Sequence, residues 1–137
     1  MKHFAKQLAK CLRGNEVILL KGNLAAGKTT FTRFLVSALN PEIEDEVNSP
    51  TFTVMNQYDT QKFPIYHIDL YRVKDFDFTD FLGEGVIIVE WGTEETFDEI
   101  EDMPVLFIEI FPEEEEKRVL KIKQKNADYL IGCIRPQ

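Results

Sequence analysis

The feature that most constrains the fold is the stretch of residues 22–29, GNLAAGKT, which has the form G-x-x-x-x-G-K-[ST] of a phosphate-binding loop, or P-loop. The apolar residues 17–20 precede it and predict a buried strand, and the helix-forming residues 30–39 follow it. Asn40 and Pro41 then end that helix. A glycine-rich turn that matches by chance is the alternative, but a strand before the loop and a helix after it are the context in which such a loop binds phosphate. The sequence therefore predicts a nucleotide-phosphate site.

Each part of this loop has a predicted role. The backbone N–H groups of the loop and the N-terminus of the helix direct partial positive charge at phosphate oxygens. Lys28 adds a full charge at the terminal phosphates, and the Thr29 hydroxyl is placed to bind Mg²⁺. The residues predicted to contact the nucleotide are Gly22, Asn23, Leu24, Ala25, Ala26, Gly27, Lys28, Thr29 and Thr30.

Length and charge limit the class of protein. A chain of 137 residues is long enough for one hydrophobic core and too short for two, so we expect a single domain over residues 1–137. The net charge of −8 argues against a protein that grips nucleic acid through its own surface. No apolar run reaches the length of a membrane span and the N-terminus lacks the apolar segment of a signal peptide, so we expect a cytoplasmic protein with no membrane contact. Cys11 and Cys133 lie at opposite ends without metal-ligand spacing, which favours buried thiols over a disulfide.

Hydrophobic periodicity predicts a mixed α/β architecture. Helices are expected at residues 2–13, 30–39 and 93–101, the last capped by Thr93, and a surface loop at 42–50. Residues 75–82 are expected to form a short helix or loop. Strands are expected at residues 17–20, 51–58, 63–69, 86–89, 105–110 and 119–123, with the second and third forming a hairpin. The result is a three-layer, P-loop NTPase-like domain, in which helices flank a mixed, mainly parallel sheet and the P-loop lies at its carboxyl edge.

A second chemical signal is the acidic residue that ends an apolar strand. Residues 86–89 are continuously apolar, as in a strand buried on both faces, and Glu90 follows directly. In P-loop proteins a carboxylate at such a strand end holds Mg²⁺ or polarises water, and sheet twist brings it beside Thr29. Trp91 is either a core aromatic or a residue that lines the site.

A third signal lies in residues 66–72, YHIDLYR. Strand alternation places His67, Asp69 and Tyr71 on one face, opposite the apolar Ile68 and its neighbours. From spacing alone, a solvent-exposed ladder of polar side chains and a functional cluster are equally compatible with this pattern.

Four ordered motifs together resemble the TsaE family, also called YjeE: the P-loop, the segment SPTF at 49–52, the segment HIDLYR at 67–72, and EW at 90–91. The resemblance covers residues 5–123. It implies a single ATPase domain that acts with the TsaB–TsaD pair, after TsaC has made threonylcarbamoyl-adenylate, to modify the adenosine beside the tRNA anticodon. Such proteins hydrolyse ATP, slowly without their partners, so that the transferring complex can turn over. We expect a protein that is monomeric alone and meets tRNA through the complex.

The resemblance also assigns roles to individual residues. Lys28 and the loop amides bind the phosphates of ATP, and Thr29 and Glu90 hold Mg²⁺. Thr51 resembles a switch threonine that senses the terminal phosphate. Asp69 matches an acidic residue needed for activity, through either water positioning or an indirect metal contact, so Glu90, Asp69 and Thr51 are the predicted catalytic residues. Trp91 matches a tryptophan near the site.

Three departures from the family pattern bear on the loop and its surroundings. The family sequence is Gly-Asp-Leu-Gly-Ala-Gly-Lys-Thr, whereas here Asn23 replaces the aspartate and Ala25 a glycine. If position 25 requires positive φ, alanine costs about 1 kcal/mol. The segment 75–85 is shorter than usual, and the chain begins almost directly at its first helix, without the nucleotide contact that a preceding segment would make.

Other nucleotide-binding classes fit less well. A GTPase would need an Asn-Lys-x-Asp motif, which the sequence lacks. A small-molecule P-loop kinase shares the loop but needs a substrate pocket with arginines, and no arginine-rich lid is visible. A nucleotide-gated binding module that barely hydrolyses ATP is the alternative closest to the main prediction.

Overall fold

The computed structural model describes residues 2–22, 28–47, 55–70, 77, 79–112 and 118–134. Within these ranges the chain forms four α-helices: α1 (Lys2–Cys11), α2 (Lys28–Leu39), α3 (Glu94–Glu99) and α4 (Asp128–Ile134). It also forms six strands: β1 (Val17–Lys21), β2 (Met55–Asp59), β3 (Pro64–Asp69), β4 (Val86–Glu90), β5 (Val105–Pro112) and β6 (Arg118–Lys125). Short 3₁₀ helices cover Pro41–Glu46 and Thr79–Phe81.

The strands form one sheet in the order β2-β3-β4-β1-β5-β6. The four central strands run parallel, and β2 and β6 pair antiparallel at the two edges. The prediction of a mixed, mainly parallel sheet is therefore confirmed. Continuous apolar sequence in the central strands explains their place, because both of their faces are covered.

Alternate side chains of the central strands enter two separate cores. Ile18, Leu20 and Ile88 pack on one face together with α1, α2 and α4. Val17, Leu19 and their neighbours pack on the other face against Phe97 of α3. The sheet is thus the middle of three layers, as the sequence predicts.

Local signals account for several element boundaries. Gly14 follows α1 with φ of 108°, a left-handed conformation, and a Cβ there would come within 3.0 Å of Phe63. Thr93 caps α3 by accepting from the N–H of Thr96 at 3.1 Å, as predicted. Thr60 closes the predicted β2–β3 hairpin by accepting from the N–H groups of residues 62 and 63.

Parts of the chain differ from the sequence prediction or lie outside the described residues. The predicted loop at 42–50 begins as a 3₁₀ helix, because Pro41 opens it and the Asn40 side chain accepts from the N–H of Glu42. Helix α4 was not predicted. Residues 48–54, which include the first half of one predicted strand, lie outside the described residues.

The expectation of two separate thiols is wrong, because the structure joins Cys11 and Cys133 in a disulfide with Cα atoms 6.5 Å apart. The physical reason is α4, which packs on the same core as α1 and carries Cys133 back to the end of that helix. Among the helices that the described ranges contain, none is both long enough and apolar enough to cross a membrane.

Candidate functional site

Lys28 lies at the carboxyl edge of the parallel strands, where β1 ends and α2 begins. Its side chain is buried, and Nζ donates a hydrogen bond to the carbonyl oxygen of Gly22 at 2.6 Å. The same Nζ lies 4.0 Å from the ring centroid of Trp91, a cation–π distance. The predicted phosphate-binding cation is therefore held between the residue that follows β1 and the residue that follows β4.

Burial lowers the pKa of Lys28 below its ordinary value of 10.5, while the charges of Glu90 and Asp69 act in the opposite direction. A cation that has lost water gains strongly from an added anion, because the attraction is little screened in a buried site. This environment suits a phosphate group of a nucleotide.

Thr29 and Glu90 are in direct contact. The Thr29 hydroxyl donates to the Glu90 carboxylate, 2.9 Å from Oε1 and 3.0 Å from Oε2. Glu90 is 3% exposed and sits opposite Leu20 of β1 in the parallel register, which brings the end of β4 beside the start of α2. Both groups offer the hard oxygen ligands that Mg²⁺ prefers, and a Mg²⁺ bound by one or two protein oxygens keeps the rest of its shell for water and phosphate. This donor set fits the predicted metal.

The backbone after Glu90 is firmly fixed. The backbone N–H of Leu70 donates to the carbonyl oxygen of Glu90 at 3.1 Å, and the backbone N–H of Gly92 donates to the carbonyl oxygen of Leu20 at 3.0 Å. Trp91 between them has φ of 65°, a left-handed conformation that costs a residue with a side chain about 1–3 kcal/mol. A Cβ at position 92 would lie 2.8 Å from the Cβ of Leu19, so glycine is required there. The strained turn directs the Trp91 ring toward Lys28.

Two further side chains, to which the sequence analysis gave no role in this site, are connected to Glu90: His67 contacts it directly, and Tyr58 contacts His67. His67 of β3 is fully buried, and its Nε2 makes a short hydrogen bond with Oε2 of Glu90. Its Nδ1 lies 3.1 Å from the hydroxyl of Tyr58 on β2. The polar face predicted for residues 67–71 is thus directed into the protein at His67, and a solvent-exposed ladder is excluded there.

Asp69 ends β3 and is the register partner of Glu90, so both carboxylates lie at the same edge of the sheet. Asp69 is partly buried, and Thr30 lies partly buried in the first turn of α2. In the part of the chain that the structure describes, no three or more His, Cys, Asp or Glu side chains are grouped so that they could hold a metal ion.

Several predicted site residues lie outside the described residues: Asn23, Leu24, Ala25, Ala26, Gly27, Thr51 and Tyr71. Their assigned roles stay predictions. The described residues Lys28, Thr29, Glu90 and Trp91 meet in one place, with Asp69 at the same sheet edge.

Comparisons with known proteins show which family the chain resembles over its length. The family described as threonylcarbamoyl adenosine biosynthesis protein TsaE matches residues 1–120. The tRNA threonylcarbamoyladenosine biosynthesis protein TsaE of Aquifex aeolicus (strain VF5) is 47% identical over 124 residues, which cover 88% of this chain and 86% of that protein. The protein of the same name from Rickettsia typhi is 33% identical over 131 residues, covering 91% and 89%. The crystal structure of Bacillus subtilis YdiB superposes with a TM-score of 0.71 at 28% identity, covering 97% of this chain and 85% of that one.

Proposed function

This chain belongs to the TsaE family, and on that basis we propose that it binds and hydrolyses ATP with Mg²⁺ to support threonylcarbamoyl modification of tRNA. The family resemblance predicted from four sequence motifs is confirmed. The activity, the metal and the partners belong to the proposal.

One observation carries the proposal: the Thr29 hydroxyl donates to the Glu90 carboxylate directly beside the buried cation of Lys28. A phosphate-binding cation, a hydroxyl at the start of a helix and a carboxylate at a strand end are the parts that P-loop ATPases use. Here two elements bring them together: α2 supplies the cation and the hydroxyl and β4 supplies the carboxylate, at the carboxyl edge where α/β proteins bind ligands.

Each residue then has a defined task. Lys28 exchanges the Gly22 carbonyl for phosphate oxygens, and the N-terminus of α2 adds partial positive charge. Thr29 and Glu90 hold Mg²⁺, which when bound neutralises phosphate charge. Asp69 would position the attacking water or contact the metal site indirectly, and Thr51 would respond to the terminal phosphate. The Trp91 ring packs against the Lys28 ammonium group and helps to hold it in place.

The partner in this proposal is the TsaB–TsaD heterodimer, which makes the slow ATPase productive and through which tRNA is reached. The net charge of −8 supports indirect contact, since a surface of this charge repels the tRNA backbone. We propose that the protein is a single cytoplasmic domain and is monomeric without its partners.

The first test replaces Lys28 with alanine and measures ATP–Mg²⁺ binding by calorimetry. Most of the affinity, a factor of about 10² or more, should be lost because a charge-assisted contact to phosphate is removed in a buried site. Lys21→Ala is the matched control: Lys21 is exposed at the end of β1 and pairs with Glu109 at 4.0 Å. Equal affinity for Lys28→Ala and the parent would overturn the phosphate-site assignment.

The second arm of this test measures phosphate release with and without the TsaB–TsaD pair. Release should rise when the pair is added and should be absent in Lys28→Ala. Parent protein that binds ATP–Mg²⁺ but never releases phosphate, even with the pair, would instead indicate a nucleotide-gated binding module.

A further inference from the structure

We propose that Tyr58 and His67 are positioning residues that fix the orientation of the Glu90 carboxylate. The three side chains form a buried hydrogen-bonded chain that crosses strands β2, β3 and β4 and ends at Thr29. The proposal rests on the proposed function, because it assigns to these side chains the task of presenting Glu90 to Mg²⁺.

The burial of the chain shows that its hydrogen bonds matter. Tyr58 is 6% exposed, His67 is 0% exposed and Glu90 is 3% exposed. A carboxylate without water carries a large desolvation penalty unless donors surround it, and an imidazole nitrogen without a partner is costly for the same reason. The two bonds of His67 therefore hold its ring in one orientation.

The direction of each hydrogen bond follows from the acid–base character of the partners. The ionised Glu90 carboxylate only accepts, so the proton between it and His67 belongs to Nε2. With His67 as the neutral imidazole, Nδ1 is then the acceptor, and we assign the Tyr58 hydroxyl, 3.1 Å away, as its donor. Tyr58 thus selects the His67 tautomer that can donate to Glu90.

The chain has a consequence for the geometry of Glu90. Thr29 Oγ1 lies almost equally far from the two carboxylate oxygens, at 2.9 and 3.0 Å, so Thr29 alone does not distinguish them. His67 binds Oε2 and makes them unequal, leaving Oε1 as the oxygen not engaged by the imidazole. A carboxylate fixed in this way is preorganised for a metal ion or its water, as outer partners of metal ligands generally are.

Strand register explains how the chain forms. His67 pairs across the hairpin with Asn56, while Tyr58 pairs with Ile65, so Tyr58 and His67 are diagonal neighbours. His67 is also opposite Ile88 in the parallel pairing with β4, two residues before Glu90 on the same face. A shift of the hairpin by one residue would turn Tyr58 to the other face of the sheet.

Tyr58→Phe and Tyr66→Phe form a matched pair. Each removes one tyrosine hydroxyl from the β2–β3 hairpin, but Tyr66 lies on the other face and packs against Phe81. Calorimetry compares ATP binding with Mg²⁺ and with EDTA, and phosphate release is measured with the TsaB–TsaD pair. In Tyr58→Phe the gain in affinity from Mg²⁺ and the hydrolysis rate should each fall about tenfold, while binding in EDTA stays within about twofold of the parent. Tyr66→Phe should match the parent in the affinity gain from Mg²⁺, in the hydrolysis rate and in binding with EDTA.

A second pair tests His67 itself. His67→Gln keeps an N–H donor near the position of Nε2 and should retain more of the Mg²⁺ effect than His67→Leu, which should lose about 10²-fold in hydrolysis. NMR of the imidazole nitrogens in the free parent protein should show the Nε2–H tautomer for His67, and Tyr58→Phe should lose this preference. His3, the other histidine, is exposed and serves as the internal reference.

These measurements distinguish failure of the metal role of Thr29 and Glu90 from failure of the positioning role of Tyr58 and His67. Parent protein whose ATP affinity is indifferent to Mg²⁺ would refute the metal role of Thr29 and Glu90, and the positioning role with it. A normal Mg²⁺ effect in the parent, with Tyr58→Phe and Tyr66→Phe indistinguishable, would refute the positioning role alone. An Nδ1–H tautomer of His67 in the parent protein would also refute the positioning role alone.

Discussion

Glu16 and Glu90 are both buried glutamates at the ends of central strands, but they lie at opposite edges of the sheet. Glu16 precedes β1 at the amino edge and is 0% exposed, whereas Glu90 ends β4 at the carboxyl edge and is 3% exposed. Burial and residue type are nearly the same at the two positions. Their hydrogen-bond partners differ.

Backbone groups surround Glu16. Its carboxylate accepts from the N–H groups of Arg13, Gly14 and Asn15 at 2.7, 2.9 and 3.1 Å. It also accepts from the Tyr129 hydroxyl at 2.5 Å, which ties the α1–β1 connection to α4. Donors fixed in the main chain cannot leave without local unfolding, so Glu16 stabilises the fold.

Side chains, in contrast, are the partners that Glu90 has among the described residues. Thr29 and His67 donate to it, and the charge of Lys28 is close enough to interact with it. A hydroxyl and an ammonium group can rotate toward a ligand while the backbone stays in place. The type of donor, more than burial, therefore distinguishes a carboxylate available for chemistry from one that holds the structure.

The largest expected effect is that of Glu90→Gln on hydrolysis. The amide keeps an acceptor oxygen for Thr29 and His67 but removes the charge, so phosphate release with TsaB–TsaD should fall at least ~10²-fold. The free energy of unfolding should stay within about 1 kcal/mol of the parent, since the hydrogen bonds are largely retained. Nucleotide should still bind, which the emission of Trp91 beside Lys28 can report. Unimpaired hydrolysis would place the chemistry elsewhere.

Glu16→Gln should give the reverse pattern. Its amide NH₂ would face a backbone N–H donor, leaving a buried donor without a partner, and stability should fall by about 2 kcal/mol. Urea unfolding measures this loss, with the exposed Glu101→Gln as the control. Hydrolysis by the folded fraction should equal that of the parent. A variant with parental stability but slow hydrolysis would contradict the division between the two edges.

The sequence alone was sufficient to predict the motifs that meet at the carboxyl edge of the sheet. The P-loop pattern predicts a strand, a loop and a helix, and an apolar strand that ends in Glu90 predicts its own place in a parallel sheet. These signals are local, and sheet topology then places Glu90 beside Thr29. The position of Tyr58 beside His67 could not be read in the same way, because it depends on the hairpin register and not on spacing along one strand.

The sequence contains almost no signal that predicts the contacts at the amino edge of the sheet. Helix α4 spans seven residues and contains Gly132, which disfavours helix, so tertiary contacts decide its structure. Without α4, neither the Tyr129–Glu16 bond nor the Cys11–Cys133 disulfide could be predicted, because both join segments more than a hundred residues apart. Long-range contacts of this kind leave no periodic pattern in the sequence.

The smallest expected effect, and the finest test of the amino edge, is that of Tyr129→Phe. Phenylalanine keeps the ring that Arg13 covers at 3.8 Å but removes the hydroxyl that donates to Glu16. Because three backbone donors remain on Glu16, the loss should be about 1 kcal/mol, smaller than that of Glu16→Gln. Hydrolysis should not change.

The pH dependence of this loss identifies its origin. Burial, then the hydrogen bond and charge of Glu16, raise the pKa of Tyr129 above its ordinary value of 10.0, against a lowering by Arg13. The hydroxyl therefore contributes fully below pH about 10 and progressively less above it, because Tyr129 ionises first in the unfolded chain. Urea unfolding at about pH 8 and about pH 11 should show the parent losing more stability than Tyr129→Phe, so that the two curves converge at alkaline pH. Curves that stay parallel would show that the Tyr129 hydroxyl does not hold Glu16 in solution, and the amino edge would then depend on the backbone donors alone.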